Sequence, residues 1–129
     1  MSVATLIDVS VTYNGRQALG PIRLQVNSGE TTALVGPSGC GKSTALRLLA
    51  GLERPTAGQV ERHVGKGETA VVFQAPTLAP WETVLNNVAL PLRLAGVESD
   101  VAREKARAAL IRVGLLDAAG LKPAQLSGG

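Results

Sequence analysis

The chain has 129 residues, 45% of them hydrophobic and 18% charged, a composition that argues against disorder and suits one modest globular domain with a core of Leu, Val and Ala. Its net charge of +3 comes from basic residues interleaved with Asp and Glu, which speaks against a nucleic-acid-binding arm. No apolar run approaches the roughly 20 residues of a membrane span, the start MSVATLIDVSVTYNGR lacks signal-peptide character, and the single cysteine excludes an internal disulfide or a cysteine metal cluster, so a cytoplasmic chain is expected.

From Val3 to Tyr13 the odd positions Val3, Thr5, Ile7, Val9, Val11 and Tyr13 alternate with other residues, which predicts a half-buried strand ending at the turn Asn14-Gly15. Ile22, Leu24 and Val26 share one side of a second strand, and Asn27 to Glu30 turns the chain into the apolar run Thr32 to Val35, expected as a strand buried on both faces. Leu46, Leu48, Leu49 and Leu52 give helical spacing over 43–52, closing near Gly51. Val60–Val64 and Thr69–Gln74 read as two further strands around Gly65-Lys66-Gly67. Beyond them APTLAPWE should be an irregular loop, and Thr83 is placed to cap a helix through about Leu94 that Pro91 could kink. From Ser99 or Asp100 to Val113, Ala102, Ala106, Ala109, Leu110 and Val113 form the apolar side of an amphipathic helix that Gly114 ends.

Between the apolar run and the first helix stands GPSGCGKST, residues 36–44, which satisfies G-x-x-x-x-G-K-[ST] in the strand-to-helix setting that motif requires. Glycines let successive backbone N–H groups point inward as an anion nest, and the helix start adds its own free N–H groups and positive dipole end. On this reading Gly36, Pro37, Ser38, Gly39, Cys40 and Gly41 wrap the phosphates and Lys42 bridges the β and γ phosphates. Ser43 is placed to ligate Mg²⁺, and Thr44 to hydrogen-bond the α phosphate. Cys40 is read as a small filler of the loop, since no His lies near it in sequence, and His63, on an expected edge strand, is read as structural too. The motif alone says nucleoside triphosphate and leaves kinase, GTPase and ATPase open.

VFQ at 72–74, PWETVLNNV at 80–88 and PAQLSGG at 123–129 follow in an order that resembles the ATP-binding domain of ABC transporters over nearly the whole chain. The resemblance implies an α/β P-loop NTPase with a partial RecA-like core, an antiparallel β part and the glycine-loop strand in 1–35, the P-loop, helix and core strands in 36–75, and the start of the helical subdomain up to the signature in 76–129. It implies that Tyr13 stacks on adenine, that Gln74 meets Mg²⁺ and the attacking water, and that Ser127, Gly128 and Gly129 contact the γ phosphate held by the partner of a head-to-tail dimer. LAPWETVLNNV is most similar to the ATPases of nitrate, sulfonate and taurine importers, and Trp81 is either a docking residue for the membrane subunit or a tryptophan folded onto its own helices. The partners implied are a second ATP-binding subunit, membrane permease subunits and, indirectly, a periplasmic or extracellular solute-binding protein, with no nucleic acid. The implied location is the cytoplasmic face of the cell membrane.

Two departures from the family stand out. The stretch Gly58 to Gln74 is shorter than expected, and no apolar run ending in Asp-Glu follows Gln74, so the catalytic Glu is lacking and the chain reads as the N-terminal half of a domain. The alternatives are a non-transport ABC ATPase and a nucleotide-binding module without hydrolysis.

Overall fold

The computed structural model describes residues 1–127, so Gly128 and Gly129, both assigned above to the γ-phosphate contact, lie outside the described residues. The chain divides into two compact units between Val72 and Phe73.

The first unit is built on a three-stranded antiparallel sheet in the order β2-β1-β3, with β1 at Ser2–Tyr13, β2 at Arg16–Asn27 and β3 at Ala57–Arg62. Asn14 and Gly15 both have positive φ, 48° and 75°, so the hairpin uses the mirror-image two-residue turn that matches strand twist. The buried residues of β1 are Ala4, Leu6, Val9 and Val11, which corrects the uninterrupted odd-numbered face. Asp8 is the cause. It sits at φ 48°, and the pairing with β2 shifts between Leu6 and Val9, so one extra residue switches the inward parity from even to odd. The Asp8 carboxylate emerges on the exposed side, 2.8 Å from Arg23. Gly58 of β3, at φ 84°, packs its Cα against the Asp8 carbonyl, and a Cβ there would overlap that oxygen.

Helix α1, Lys42–Ala50, covers the sheet with Thr44, Ala45 and Leu48 and ends where Gly51 turns left-handed at φ 77°. Leu46 and Leu52, which the spacing had assigned to the same stripe, are exposed. Leu6, Val9, Val11, Leu19, Ala45 and Leu48 form the core of this unit, and burying Leu48 alone contributes about 2 kcal/mol. Two expected strands are not formed. Residues 32–35 and 69–74 are not in a ladder with any described residue, and Val35 and Val72 are 93% and 99% exposed. Apolar residues in sequence favour an extended backbone, but a strand also needs a neighbour to pair its N–H and C=O groups. Between these segments, α1 and the sheet runs an apolar groove of about 470 Å³ that includes Leu24, Val26, Leu34, Leu49 and Val71 in its walls.

The second unit pairs α2, Val84–Leu94, with α3, Ser99–Arg112. Ala89, Ala102 and Ala106 are fully buried at their contact, small enough to bring the two helix backbones close. Thr83 caps α2 by accepting from the Asn86 N–H at 3.2 Å, as its position predicts. The N–H groups of Val84 and Leu85 are taken by the carbonyls of Leu121 and Ala119. Val113, expected on the buried side of α3, is 66% exposed because the helix has already ended, and Gly114 turns the chain at φ 72°. No helix among the described residues is long and apolar enough to cross a membrane.

Candidate functional site

The loop 36–41 joins an unpaired extended segment to α1, and two of its glycines hold a left-handed backbone that L side chains rarely adopt. Gly39 and Gly41 hold φ of 78° and 100°, and a Cβ on Gly41 would lie 2.7 Å from Leu19 Cδ1 and 2.8 Å from the Ala18 carbonyl. A Cβ on Gly36 would meet Cys40 Sγ at 2.8 Å. The loop is therefore seated on β2 on one side and closed on itself on the other.

Its mouth is rich in donors. The first backbone bond of α1 runs from Ala45 N–H to the Gly41 carbonyl at 2.9 Å, and no acceptor for the N–H groups of Lys42, Ser43 or Thr44 is found among the described residues. The start of α1 also has no side-chain cap and no acidic residue in its first turn, whereas α2 has every early N–H engaged. Three free N–H groups at the positive end of a helix form an anion site. The Lys42 ammonium lies across the loop, donating to the carbonyls of Gly36 and of Pro37, the latter at 2.8 Å, with Cys40 Sγ 3.6 Å away. An ammonium has three N–H donors, so a phosphate oxygen can take the one that now faces Cys40 Sγ while both carbonyl bonds stay.

Ser43 is exposed beside this mouth, while Thr44 is buried and its hydroxyl accepts from Arg47 Nη2 at 3.3 Å. Tyr13 stands half-exposed at the tip of the hairpin, paired across the ladder with Arg16. Arg16 is three residues from the Leu19 that supports Gly41, which puts the tyrosine roughly 10 Å along the strands from the loop. That is about the reach of a nucleotide from its phosphates to its base. Gln74, Trp81 and Ser127 are carried by the second unit, all exposed. Cys40 is an exposed free thiol, and His63, just past β3, is exposed with Glu61 at 3.9 Å. The support given by Ala18 and Leu19 to Gly41, and the contact of Gly58 on Asp8, have no short-range sequence signal, because both join residues far apart in the chain.

A family model described as ABC transporter matches residues 19–129, a span that takes in the glycine loop and α1. The chain belongs to the ABC transporter family. It is 48% identical over 128 residues to the aliphatic sulfonates import ATP-binding protein SsuB 1 of Burkholderia lata, covering 97% of this chain and 38% of that protein. The taurine import ATP-binding protein TauB of Chromobacterium violaceum is 46% identical over 136 residues, which cover 100% of this chain and 52% of that one. This ABC transporter chain thus spans between about two fifths and one half of these relatives' lengths. Among solved structures it is similar to the dimeric structure of MJ0796, a bacterial ABC transporter cassette, with a TM-score of 0.83 and 33% identity over 97% of this chain and 63% of that one. The α/β P-loop fold with an antiparallel β part is therefore the family's, and among the described residues the paired strands are those of the three-stranded antiparallel sheet.

Proposed function

We propose that this chain is the phosphate-binding part of an ATP-hydrolysing subunit that drives import of a small oxyanion-bearing solute of the nitrate, sulfonate or taurine kind. The reading is carried by the three free N–H groups and the Lys42 ammonium gathered at the start of α1, a donor set matched to the oxygens of a polyphosphate. Its substrate class is supported by the two relatives named for sulfonate and taurine import.

Gly36 to Gly41 wrap the β phosphate, Lys42 spans the β and γ phosphates, and Tyr13 stacks on adenine. Thr44 reaches the α phosphate through its free backbone N–H, while its buried hydroxyl accepts from Arg47. Among the described residues no group of three or more His, Cys, Asp or Glu could hold a metal by itself. Mg²⁺, which takes few protein ligands and several phosphate and water oxygens, would be held by the exposed Ser43 hydroxyl and by Gln74. Bound there, Mg²⁺ would neutralise charge on the β and γ oxygens. Gln74 orients the water for in-line attack, and Ser127, Gly128 and Gly129 serve the partner's nucleotide across a head-to-tail dimer. Trp81, 73% exposed beside prolines, is the docking residue for a membrane permease subunit, and the subunit works at the cytoplasmic face of the membrane.

The test is reconstitution of the complete natural polypeptide that carries these residues with its membrane partners in vesicles. ATP-dependent uptake of an alkanesulfonate, taurine or nitrate supports the proposal. Uptake of a neutral sugar instead overturns the solute class, and the lack of a co-purifying membrane subunit overturns the transport assignment, each leaving the phosphate site standing.

A further inference from the structure

The end of α1 opposite the phosphate loop is closed in an unusual way. Leu52 N–H bonds to the Arg47 carbonyl at 2.9 Å and Gly51 N–H to the Leu48 carbonyl at 3.1 Å, the paired bonds of a glycine-ended helix. The next free carbonyl, that of Leu49, accepts from Nε of Arg62 at 3.0 Å. Arg62 is the last residue of β3, held in the ladder opposite Ala4. Its Nη2 donates to Thr69 Oγ1 at 2.7 Å, and the guanidinium lies so close over Gly51 that a Cβ there would sit 2.5 Å from Nη1 and 2.8 Å from Cζ. A positive group at this end of α1 also complements the helix dipole.

What Arg62 grips on its other arm matters more. Thr69 opens the stretch that ends in Gln74, and its hydroxyl is where this stretch meets Arg62. We infer that Arg62 is a positioning residue, its forked guanidinium fastening the C-terminal end of the phosphate-loop helix to the segment that leads into Gln74. A guanidinium can serve a carbonyl and a hydroxyl in two fixed directions at once, whereas an ammonium on a flexible stem holds one of them well. A nucleotide that draws on the start of α1 therefore bears on the approach to Gln74 through its far end. This inference rests on the ATP-hydrolysis reading for its consequence and on the contacts alone for the tether.

Two readouts separate those layers, both made in the complete natural polypeptide. For the tether, a nitroxide on Val72→Cys in a Cys40→Ser background should gain mobility when Arg62→Ala or Thr69→Val is added, and regain only part of its order with Arg62→Lys. Unchanged mobility in both Arg62→Ala and Thr69→Val overturns the tether, whether or not the protein hydrolyses ATP. For the consequence, Arg62→Ala and Thr69→Val in the otherwise unsubstituted protein should lower kcat by about tenfold while Mg-ATP affinity stays within about threefold, and the double variant should be no slower than Arg62→Ala. Losses that multiply independently, or an affinity loss equal to the kcat loss, overturn the positioning role. Absence of hydrolysis in the unsubstituted protein contradicts the proposed function, and the mobility result then still decides the tether.

Discussion

Lys42 is held over its loop by two carbonyls, so its charge is set in place before any phosphate arrives, and the neighbouring thiol reports on that space. Because Cys40 is exposed within the loop, a maleimide should react with it and then block nucleotide binding, and Mg-ATP should slow the reaction several-fold. Equal labelling rates with and without Mg-ATP would count against the site. Gly41 makes a different demand. With φ at 100° and the Ala18 carbonyl in the way of any Cβ, Gly41→Ala must push the loop off β2, and Mg-ATP affinity should fall by an order of magnitude or more. Isothermal titration checks this, and an unaltered affinity would mean that the loop is not seated as described.

At the scale of elements, the parity switch in β1 depends on a backbone arrangement that one methyl group would break. Gly58→Ala adds a Cβ against the Asp8 carbonyl at a left-handed φ, so the first unit should lose about 2 kcal/mol or more, read as a lower denaturant midpoint in the complete polypeptide. Thr83→Ala should cost about 1 kcal/mol through loss of the helix cap, with no change in nucleotide affinity. These elements also show what could be read in the chain beforehand. Asn14-Gly15, Thr83 and the glycine loop carry their conformation in their own chemistry, so the hairpin turn, the start of α2 and the passage from glycine loop to helix at the site were legible. The Asp8 bulge was not, because alternation through Val3 to Tyr13 is read one residue at a time while the extra residue is accommodated by Gly58, fifty positions away. Nor was the fate of 32–35 and 69–74, since their apolar residues favour extension but pairing depends on a neighbour.

For the whole molecule, those two unpaired segments and the groove between them set the behaviour of residues 1–129 when produced by themselves. Exposed Val35 and Val72 beside unpaired backbone form an open edge, so this piece should aggregate or melt without a sharp cooperative transition, and it should show no ATPase activity above background. A soluble monomer with a sharp calorimetric transition would contradict that expectation. The central claim, that the start of α1 is a working phosphate site in an ATP-hydrolysing subunit, is tested most directly by steady-state Mg-ATP hydrolysis of the complete natural polypeptide with and without Lys42→Ala. The account predicts measurable turnover that falls by about 100-fold or more in the variant at saturating ATP, because the ammonium stabilises charge that builds on the β and γ oxygens. Equal turnover in the two proteins would contradict it.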